Sequence, residues 1–265
     1  MKCQTIIDML ERLAPKKMAE DWDNPGLLAG SPKQEVHKVM VCLDVSIPVV
    51  EAAIEAEAEM IVAHHPMIFK GVRHLRTDLY DGRMFQLILR HDMAVYAAHT
   101  NLDIAPGGVN DVLAQAVGLE NIEPFVITDA EKGYSLGRLG YLPEKKSLDE
   151  FALDVKKGLG IDHLRIVRAS YKLIRKVALC SGAGAEFVHK AAFKGADVYL
   201  TGDVKYHDAQ AAVQQGINII DAGHFGTEFP VVAALAEYLR QEARRMKQDL
   251  EIATDQVSHD FFEFC

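Results

Sequence analysis

Several protein classes are excluded by what this sequence lacks. Its four cysteines are scattered and never form a CxxC pair, so neither a disulfide framework nor a cysteine-based zinc site is expected. No apolar run approaches the length of a membrane span, and the N-terminal segment mixes polar and apolar positions at helical spacing, unlike a signal peptide. The 29 Lys and Arg against 38 Asp and Glu give a net charge of -9, which argues against general nucleic-acid binding. A cytoplasmic protein with reduced thiols is expected.

The length and composition are those of an ordinary globular protein. The chain has 265 residues, of which 49% are hydrophobic and 25% charged, enough for one large α/β unit or two lobes. Strand-like and helix-like segments alternate, and the order strand, helix, strand over residues 36–63 predicts a parallel pair with a right-handed crossover. We predict an α/β fold of two α/β lobes with mainly parallel strands, residues 1–125 and residues 126–265.

Local patterns predict the individual elements. Residues 3–13 carry a helical repeat that Pro15 ends, and Ser46 is expected to cap a helix that follows a strand at residues 36–45. The other predicted strands span residues 60–63, 93–98, 133–142, 164–169, 176–180, 196–200 and 217–220. The other predicted helices span residues 81–91, 110–117, 147–158, 185–194, 209–215 and 229–247.

Turn and cap residues add detail to the second half of the chain. Ser147 and Glu150 have the spacing of a capping box, and Asn110 is expected to cap its own helix. The GxG segment that ends at Gly184 precedes a predicted helix, whose amides suit an anion. Phe187 stands where a dinucleotide fingerprint needs its third glycine, so no dinucleotide site is expected.

Ligand-type side chains gather at the ends of three predicted strands. The carboxyl ends of parallel strands meet at one edge of a sheet, where functional residues collect. Adjacent histidines inside a strand would face opposite sides, but Pro66 imposes a turn that brings two rings round together. The three clusters are His64 with His65, His99 with Asp103, and His224 with Glu228.

The chemistry of these clusters favours a metal centre. They offer imidazoles and two carboxylates without a thiolate, which suits zinc, manganese, iron or nickel. Five or six ligands exceed the needs of one open site, so two metals that share a bridging carboxylate are expected, at the strand ends between the lobes. The alternative is structural: a core histidine in each place, with His224 ending its strand and Glu228 favouring a helix N-terminus.

Two loops carry further polar residues. The only tryptophan, Trp22, lies beside aspartates and the turn Asn24-Pro-Gly. These polar groups either line a site or bond to the loop's own backbone, and the turn rules favour the second alternative. The basic loop with Lys70, Arg73 and Arg76 is either solvated surface or an anion clamp beside the histidine pair.

The sequence resembles the Nif-three-like family, also called the GTP cyclohydrolase one type two homologues. The resemblance runs in order along nearly the whole chain. It is carried by the segments Trp22-Asp-Asn-Pro-Gly-Leu, Ala63-His-His-Pro, His99-Thr-Asn-Leu-Asp103, Gly137-Arg-Leu-Gly140, Thr201-Gly-Asp-Val-Lys-Tyr-His-Asp208 and Asp221-Ala-Gly-His-Phe-Gly-Thr-Glu228.

The resemblance implies a dinuclear metal centre in a ring-shaped homohexamer. The short stretch between Gly140 and Ser181 indicates the form of the family without an inserted domain, and Pro25 stands where an apolar residue is common. His99 is implied as a nearby outer group or occasional ligand. The metal ligands implied by the matching motifs are His64, His65, Asp103, His224 and Glu228.

Two functions remain open at this stage. The first is a dinuclear metal-dependent hydrolase or cyclohydrolase acting on a nucleotide-like or phosphorylated small molecule, with Asp103 or Glu228 bridging the metals. A proton would pass through His99 or His207, since histidine titrates near neutrality. The candidate phosphate ligands are Lys70, Arg73, Arg76 and Lys205. The second function is a ring-forming regulatory or interaction module that binds metal without catalysis.

Overall fold

The computed structural model, described here for residues 1–129 and 131–265, alternates strands and helices along the chain. The first part forms α1 (Cys3–Leu13), β1 (Gly26–Ala29), β2 (Lys38–Cys42), α2 (Ile47–Glu55), β3 (Met60–Ala63), α3 (Tyr80–Arg90), β4 (Ala94–Ala97), α4 (Thr100–Ile104) and α5 (Val109–Ala116). The second part forms β5 (Glu120–Asp129), β6 (Tyr134–Lys146), α6 (Leu148–Leu159), β7 (Arg165–Val167), β8 (Ile174–Leu179), α7 (Val188–Phe193), β9 (Val198–Thr201), α8 (Tyr206–Gln215), β10 (Asn218–Asp221), α9 (His224–Glu228), α10 (Pro230–Arg245) and β11 (Glu251–Thr254).

The chain forms two compact units. Unit 1 comprises Met1–Ala105 and Val231–His259, and unit 2 comprises Pro106–Pro230 and Asp260–Cys265. The long helix α10 and strand β11 therefore return to unit 1. This division differs from the prediction of a single boundary after residue 125. No helix in the described part of the chain is long and apolar enough to cross a membrane.

Unit 1 is built on a five-stranded sheet in the order β1-β4-β3-β2-β11. Strands β11, β2, β3 and β4 are parallel neighbours, and β1 runs antiparallel at the edge. The predicted parallel pair of β2 and β3 is confirmed. Because β2, β3 and β4 are parallel, their carboxyl ends lie at the same edge of the sheet.

Unit 2 is built on a six-stranded sheet in the order β5-β6-β8-β9-β10-β7. Only β8, β9 and β10 are parallel to one another, whereas β5, β6 and β7 make antiparallel pairs. The prediction of mainly parallel strands is therefore wrong for this unit, and the protein has two mixed sheets. The long antiparallel pair of β5 and β6 needs only a short turn, whereas parallel neighbours need a crossover connection.

The core of unit 1 explains why its helices form where they do. Helix α1 has the predicted bounds and buries Ile6 and Leu10 at helical spacing. Helix α10 is tied to it through Glu242, which accepts a hydrogen bond from Arg12 at 2.8 Å. Hydrogen bonds from Arg245 and Arg12 to this carboxylate lower its pKa to about 2.

Two predicted helix caps are confirmed and one is wrong. The Ser46 hydroxyl accepts a hydrogen bond from an amide in the first turn of α2, and Ser147 forms the expected capping box with Glu150. Asn110 lies inside α5, where it is buried, and its side-chain oxygen accepts a hydrogen bond from the Ser181 amide at 2.9 Å. Its polar group thus joins two segments of unit 2 and does not cap a helix.

The glycine-rich segment after β8 also departs from the prediction. A short 3-10 turn (Ala185–Phe187) precedes the six-residue helix α7, so no long regular helix begins at the GxG motif. The N-terminus of so short a helix provides little of the dipole that binds an anion. Both glycines of the motif instead fit tightly among their neighbours: an added Cβ would lie 2.2 Å from Oε1 of Glu228 at Gly182 and 2.7 Å from the Cβ of Cys180 at Gly184.

Candidate metal centre

Three histidines of unit 1 come together at the carboxyl edge of its sheet. His64 and His65 directly follow β3, and His99 follows β4. The sheet's hydrogen bonds continue into this pair, since the amide of His64 donates to the carbonyl oxygen of the last residue of β2 and the amide of His65 donates to that of the next residue. The ring centroids of the three imidazoles are 4.9 to 5.6 Å apart, and one nitrogen of each lies within 4.8 Å of the others. The expectation that Pro66 lets both adjacent rings face one place agrees with this geometry.

Asp103 lies beside this cluster on α4, one helical turn after His99. It lies four residues after His99, and its amide donates to the His99 carbonyl oxygen at 3.0 Å. Its Oδ1 is 3.6 Å from Nε2 of His64. Both side chains are buried, so the carboxylate faces the imidazole in a medium of low dielectric constant, where charges interact strongly.

Each of the three clustered imidazoles is held by an oxygen at Nδ1. The acceptors are the Ala98 carbonyl for His64, the Asp44 carboxylate for His65 and the Asp23 carboxylate for His99, each at 2.8 Å. Carbonyl and carboxylate oxygens only accept, so Nδ1 carries the proton and Nε2 presents the lone pair. This arrangement fixes the tautomer and the ring direction in metal-binding histidines.

Asp23 anchors the tryptophan loop to this cluster. Burial raises the pKa of its carboxyl group, but hydrogen bonds from His99 and Thr100 outweigh burial and lower the pKa to about 2. The prediction that the loop's polar groups serve mainly their own backbone is therefore wrong for Asp23. It accepts one hydrogen bond from the neighbouring Asn24 amide, but its carboxylate also holds two residues of the β4–α4 junction.

Unit 2 carries a second pair of ligand-type side chains on α9. His224 and Glu228 lie one helical turn apart, with Nε2 and Oε2 separated by 3.1 Å. Nδ1 of His224 lies 2.8 Å from a carboxylate oxygen of Asp203, which follows β9 and has a positive φ of 53°. The fourth imidazole is therefore oriented in the same way as the three in unit 1.

Glycines allow the close packing around Glu228. Gly182 has a φ of 59°, and a Cβ at this position would lie 2.2 Å from Oε1 of Glu228 and 3.1 Å from Nε2 of His224. A Cβ at Gly202 would lie 2.8 Å from the backbone nitrogen of His224. Real Cβ atoms essentially never lie within 3.0 Å of such neighbours, so alanine would displace the Glu228 side chain at Gly182 and the backbone of α9 at Gly202.

The cysteine at the end of β2 does not offer its sulfur to a metal. Cys42 ends β2 and is buried, and burial together with the charges of Asp255 and Asp44 raises the pKa of its thiol well above the usual range. The predicted reduced and buried state of this residue agrees with its position. The donor groups present are imidazole nitrogens and carboxylate oxygens, the set that zinc, manganese, iron and nickel accept.

The remaining predicted site residues lie at the surface. His207 is exposed near the start of α8, with Nδ1 3.5 Å from the side-chain oxygen of Gln210, and Lys205 is exposed just before this helix. Lys70, Arg73 and Arg76 are exposed after the histidine pair. Arg76 is engaged with Asp78, at 3.0 and 2.5 Å, which leaves less of its charge for a phosphate.

Sequence reasoning missed the residues that orient the imidazoles. Asp44, Asp23 and Asp203 were not predicted as partners of particular histidines. Two of these contacts span 21 residues and the third spans 76 residues. Polar residues at strand ends were the only signal, because Asp44 follows β2 and Asp203 follows β9 just as the histidines follow their strands.

Comparisons with known proteins agree with this arrangement of segments. A family described as Duf34/NIF3 (NGG1p interacting factor 3) matches residues 1–260. A protein of Clostridium perfringens called GTP cyclohydrolase 1 type 2 homolog is 34% identical over 266 residues, with 100% of both chains covered. A protein of the same name from Halalkalibacterium halodurans is 31% identical over 366 residues, with 98% of each chain covered. This chain therefore has the length of the shorter relatives.

Solved structures are also similar to this chain over nearly its whole length. A Bacillus cereus protein related to NIF3 has a TM-score of 0.94 at 29% identity, covering 100% of this chain and 99% of that one. The Staphylococcus aureus protein SA1388 has a TM-score of 0.94 at 31% identity with the same coverage. Reduced HcgD from Methanocaldococcus jannaschii has a TM-score of 0.83 at 31% identity, covering 96% of this chain and 97% of that one.

Proposed function

The chain belongs to the Duf34/NIF3 family, and from this premise we propose that it is a dinuclear metal-dependent hydrolase or cyclohydrolase. Its substrate is a nucleotide-like or otherwise phosphorylated small molecule. The observation that supports the proposal is the common orientation of four imidazoles, each held at Nδ1 by an oxygen 2.8 Å away. These contacts orient rings that also lie close together, since one nitrogen of each of His64, His65 and His99 lies within 4.8 Å of the others, and oriented, clustered imidazoles are typical of metal sites.

The ligand set of the proposal combines nitrogen and carboxylate donors. Two divalent ions would be held by His64, His65, Asp103, His224 and Glu228. A dinuclear site of this kind supplies Lewis-acid activation of water and of a substrate oxygen. Zinc, manganese, iron and nickel all accept these donors, so the donor set fits the group without selecting one metal.

The protein's own side chains contribute the remaining chemistry. Asp103 and Glu228 are the two carboxylates available to bridge the ions. His99 lies in the imidazole cluster and is the nearer candidate to move a proton, whereas His207 is exposed on α8. Lys70 and Lys205 supply cationic groups for phosphate, as does Arg73, while Arg76 already neutralises Asp78.

We also propose that the chain assembles as a ring-shaped homohexamer. Large apolar side chains lie exposed on unit 2, among them Tyr171 and Leu173, and contacts between subunits would cover such groups. Six chains of 29.3 kDa give about 176 kDa, a mass that native mass spectrometry or light scattering resolves from a monomer or a dimer. A mass near 29 kDa at micromolar concentration would contradict the assembly.

The test of the function is metal content followed by turnover. Protein purified without chelator is analysed for elements beside the double variant His64→Ala/Glu228→Ala. The matched control is His91→Ala/Glu123→Ala, which removes an exposed histidine and an exposed glutamate. The proposal predicts about two ions per chain in the wild type and the control, and their loss in the double variant with the circular dichroism spectrum retained.

Each outcome bears on a different part of the proposal. Absence of metal, or equal metal in the double variant, would contradict the metal centre. Release of phosphate or of an opened ring from nucleotides and phosphoesters by the loaded protein would support the hydrolase. Bound metal without turnover across that panel would favour a regulatory or interaction module.

A further inference from the structure

Two aromatic side chains stand exposed beside the imidazole cluster of unit 1. Trp22, the only tryptophan, is 60% exposed, and Phe69 is 49% exposed. Their ring centroids are 5.7 Å apart, and they lie 6.2 and 6.3 Å from the ring of His99. The three rings, which we call the aromatic wall, are in mutual contact at steep angles, and Trp22 and Phe69 are exposed to solvent. Apolar surface in such a position is costly in water and favours a ligand that covers it.

Hydrogen bonds on either side of Trp22 hold the segments that carry these rings. The Asn24 side chain donates to the Ile68 carbonyl oxygen at 2.7 Å, which joins the tryptophan loop to the segment of Phe69. On the other side of Trp22, the Asp23 carboxylate accepts hydrogen bonds from His99 and Thr100. Rings held on anchored loops lose little conformational freedom on binding, which is a condition for a stacking site of useful affinity.

Cationic groups continue from the aromatic wall. Lys70 directly follows Phe69, and Arg73 lies three residues further along the same exposed segment. No ion pair of either residue is present among the described residues, whereas Arg76 pairs with Asp78. In a chain with a net charge of -9, this local positive charge favours an anionic part of a ligand.

We infer that Trp22 and Phe69 form a stacking subsite for a planar nitrogen heterocycle that carries a phosphate. The inference rests on the proposed function and narrows its substrate class. The planes of the Trp22 and Phe69 rings are inclined at 58°, so the heterocycle stacks face to face on one ring and meets the other edge to face. The phosphate lies toward Lys70 and Arg73. His99, at the third corner of the aromatic wall, then brings the heterocycle to the edge of the candidate metal centre.

The single tryptophan makes the test direct. The zinc-loaded full chain is titrated with AMP and GMP, and with ribose 5-phosphate as a probe that lacks the ring, while Trp22 fluorescence is recorded. Calorimetry measures the same affinities in Trp22→Ala, Trp22→Phe and Phe69→Ala. The matched control is Phe193→Ala, which removes a phenyl ring that is 92% exposed in unit 2. Metal content is measured for every variant.

The inference predicts that both nucleotides quench Trp22 fluorescence and bind more tightly than ribose 5-phosphate. Trp22→Ala and Phe69→Ala are each expected to weaken nucleotide binding by at least about fivefold, the lower limit for loss of one stacking ring. Trp22→Phe keeps a ring and should lose less. Ribose 5-phosphate binding should stay unchanged in all variants, as should nucleotide binding in the Phe193→Ala control.

Two results would overturn the inference. Equal affinity for nucleotides and ribose 5-phosphate would show that the ring is not recognised. Unchanged nucleotide affinity in both alanine variants would place the ring elsewhere. If wild-type metal content is normal in either case, only the stacking subsite is wrong. Absence of metal from the wild type would instead contradict the proposed function, whatever the nucleotides do.

Discussion

Gly182→Ala tests whether Glu228 is positioned as a metal ligand, because it should lower zinc affinity as well as the stability of the fold. Gly182 adopts a φ of 59°, and an added Cβ would lie 2.2 Å from Oε1 of Glu228. The amide of Gly182 also donates to the Thr227 hydroxyl at 2.9 Å, which ties this loop to α9. The loop therefore cannot move away without disturbing the helix that carries the carboxylate. The Glu228 side chain must shift instead.

The size of the effect follows from two separate costs. A non-glycine residue in the left-handed region costs about 1 kcal/mol of folding stability. Overpacking against a buried group adds about 1–3 kcal/mol. Since the displaced atom belongs to a proposed ligand, metal affinity should also fall, by about tenfold or more, as it does when the groups that position ligands are disturbed.

Gly160→Ala is the matched control within the same unit. Gly160 ends α6 with a φ of 67°, and an added Cβ there meets nothing within 4 Å. The substitution Gly160→Ala therefore carries only the cost of a non-glycine residue at a positive φ. Urea unfolding gives the stability of both variants, and competition with a chelating dye gives their zinc affinity. If Gly182→Ala matches Gly160→Ala in stability and the wild type in zinc affinity, Glu228 is not positioned as described.

Three further predictions use other parts of the structure. Asp44→Asn weakens the acceptor of the His65 ring, so zinc affinity should fall about tenfold with little change in the urea midpoint. Glu242→Gln should cost about 1 kcal/mol at pH 7, discounted for the exposure of its partner Arg12. The Glu242 carboxyl has a pKa of about 2 in the folded chain and about 4.5 in the unfolded chain, so it stabilises the fold fully above pH 4.5. In acid unfolding curves, the difference in stability between Glu242→Gln and the wild type should therefore vanish as the pH falls from about 4.5 to 2. Ser147→Ala removes the capping box of α6 and should lower stability by about 1 kcal/mol in urea, whereas an unchanged midpoint would refute that role.

Local signals account for much of the fold. Helix α1 has the bounds that its apolar repeat and Pro15 predict, and strand β3 has its predicted bounds. The caps of α2 and α6 were predicted because a hydroxyl at the right position acts within one turn. Such features depend on neighbours in sequence, which a single sequence displays.

Long-range pairing accounts for what was missed. Strand β11 forms parallel to β2 although the two are more than two hundred residues apart, and β1 and β5 were not predicted. The antiparallel edges that make both sheets mixed depend on which strands meet, not on their local patterns. Asn110 illustrates the same limit, since its partner Ser181 lies 71 residues away.

Some features of the candidate site can likewise be predicted from local sequence, and others depend on long-range contacts. Histidines after strand ends, with carboxylates one helical turn from two of them, could be found from spacing and from the family resemblance. The aspartates that orient His65, His99 and His224 could not, because these contacts form only when loops distant in sequence come together. The need for glycine at Gly182 follows only from the position of Glu228, which the sequence does not display.

The measurement that tests the central claim most directly is anomalous diffraction from crystals of the zinc-loaded protein, recorded at the zinc edge. The account predicts two anomalous peaks per chain, with Nε2 of His64, His65 and His224 at about 2.0–2.1 Å from a metal. Peaks bound to Nδ1 would contradict the assigned tautomers. Peaks remote from these histidines, or none at all, would contradict the metal centre itself.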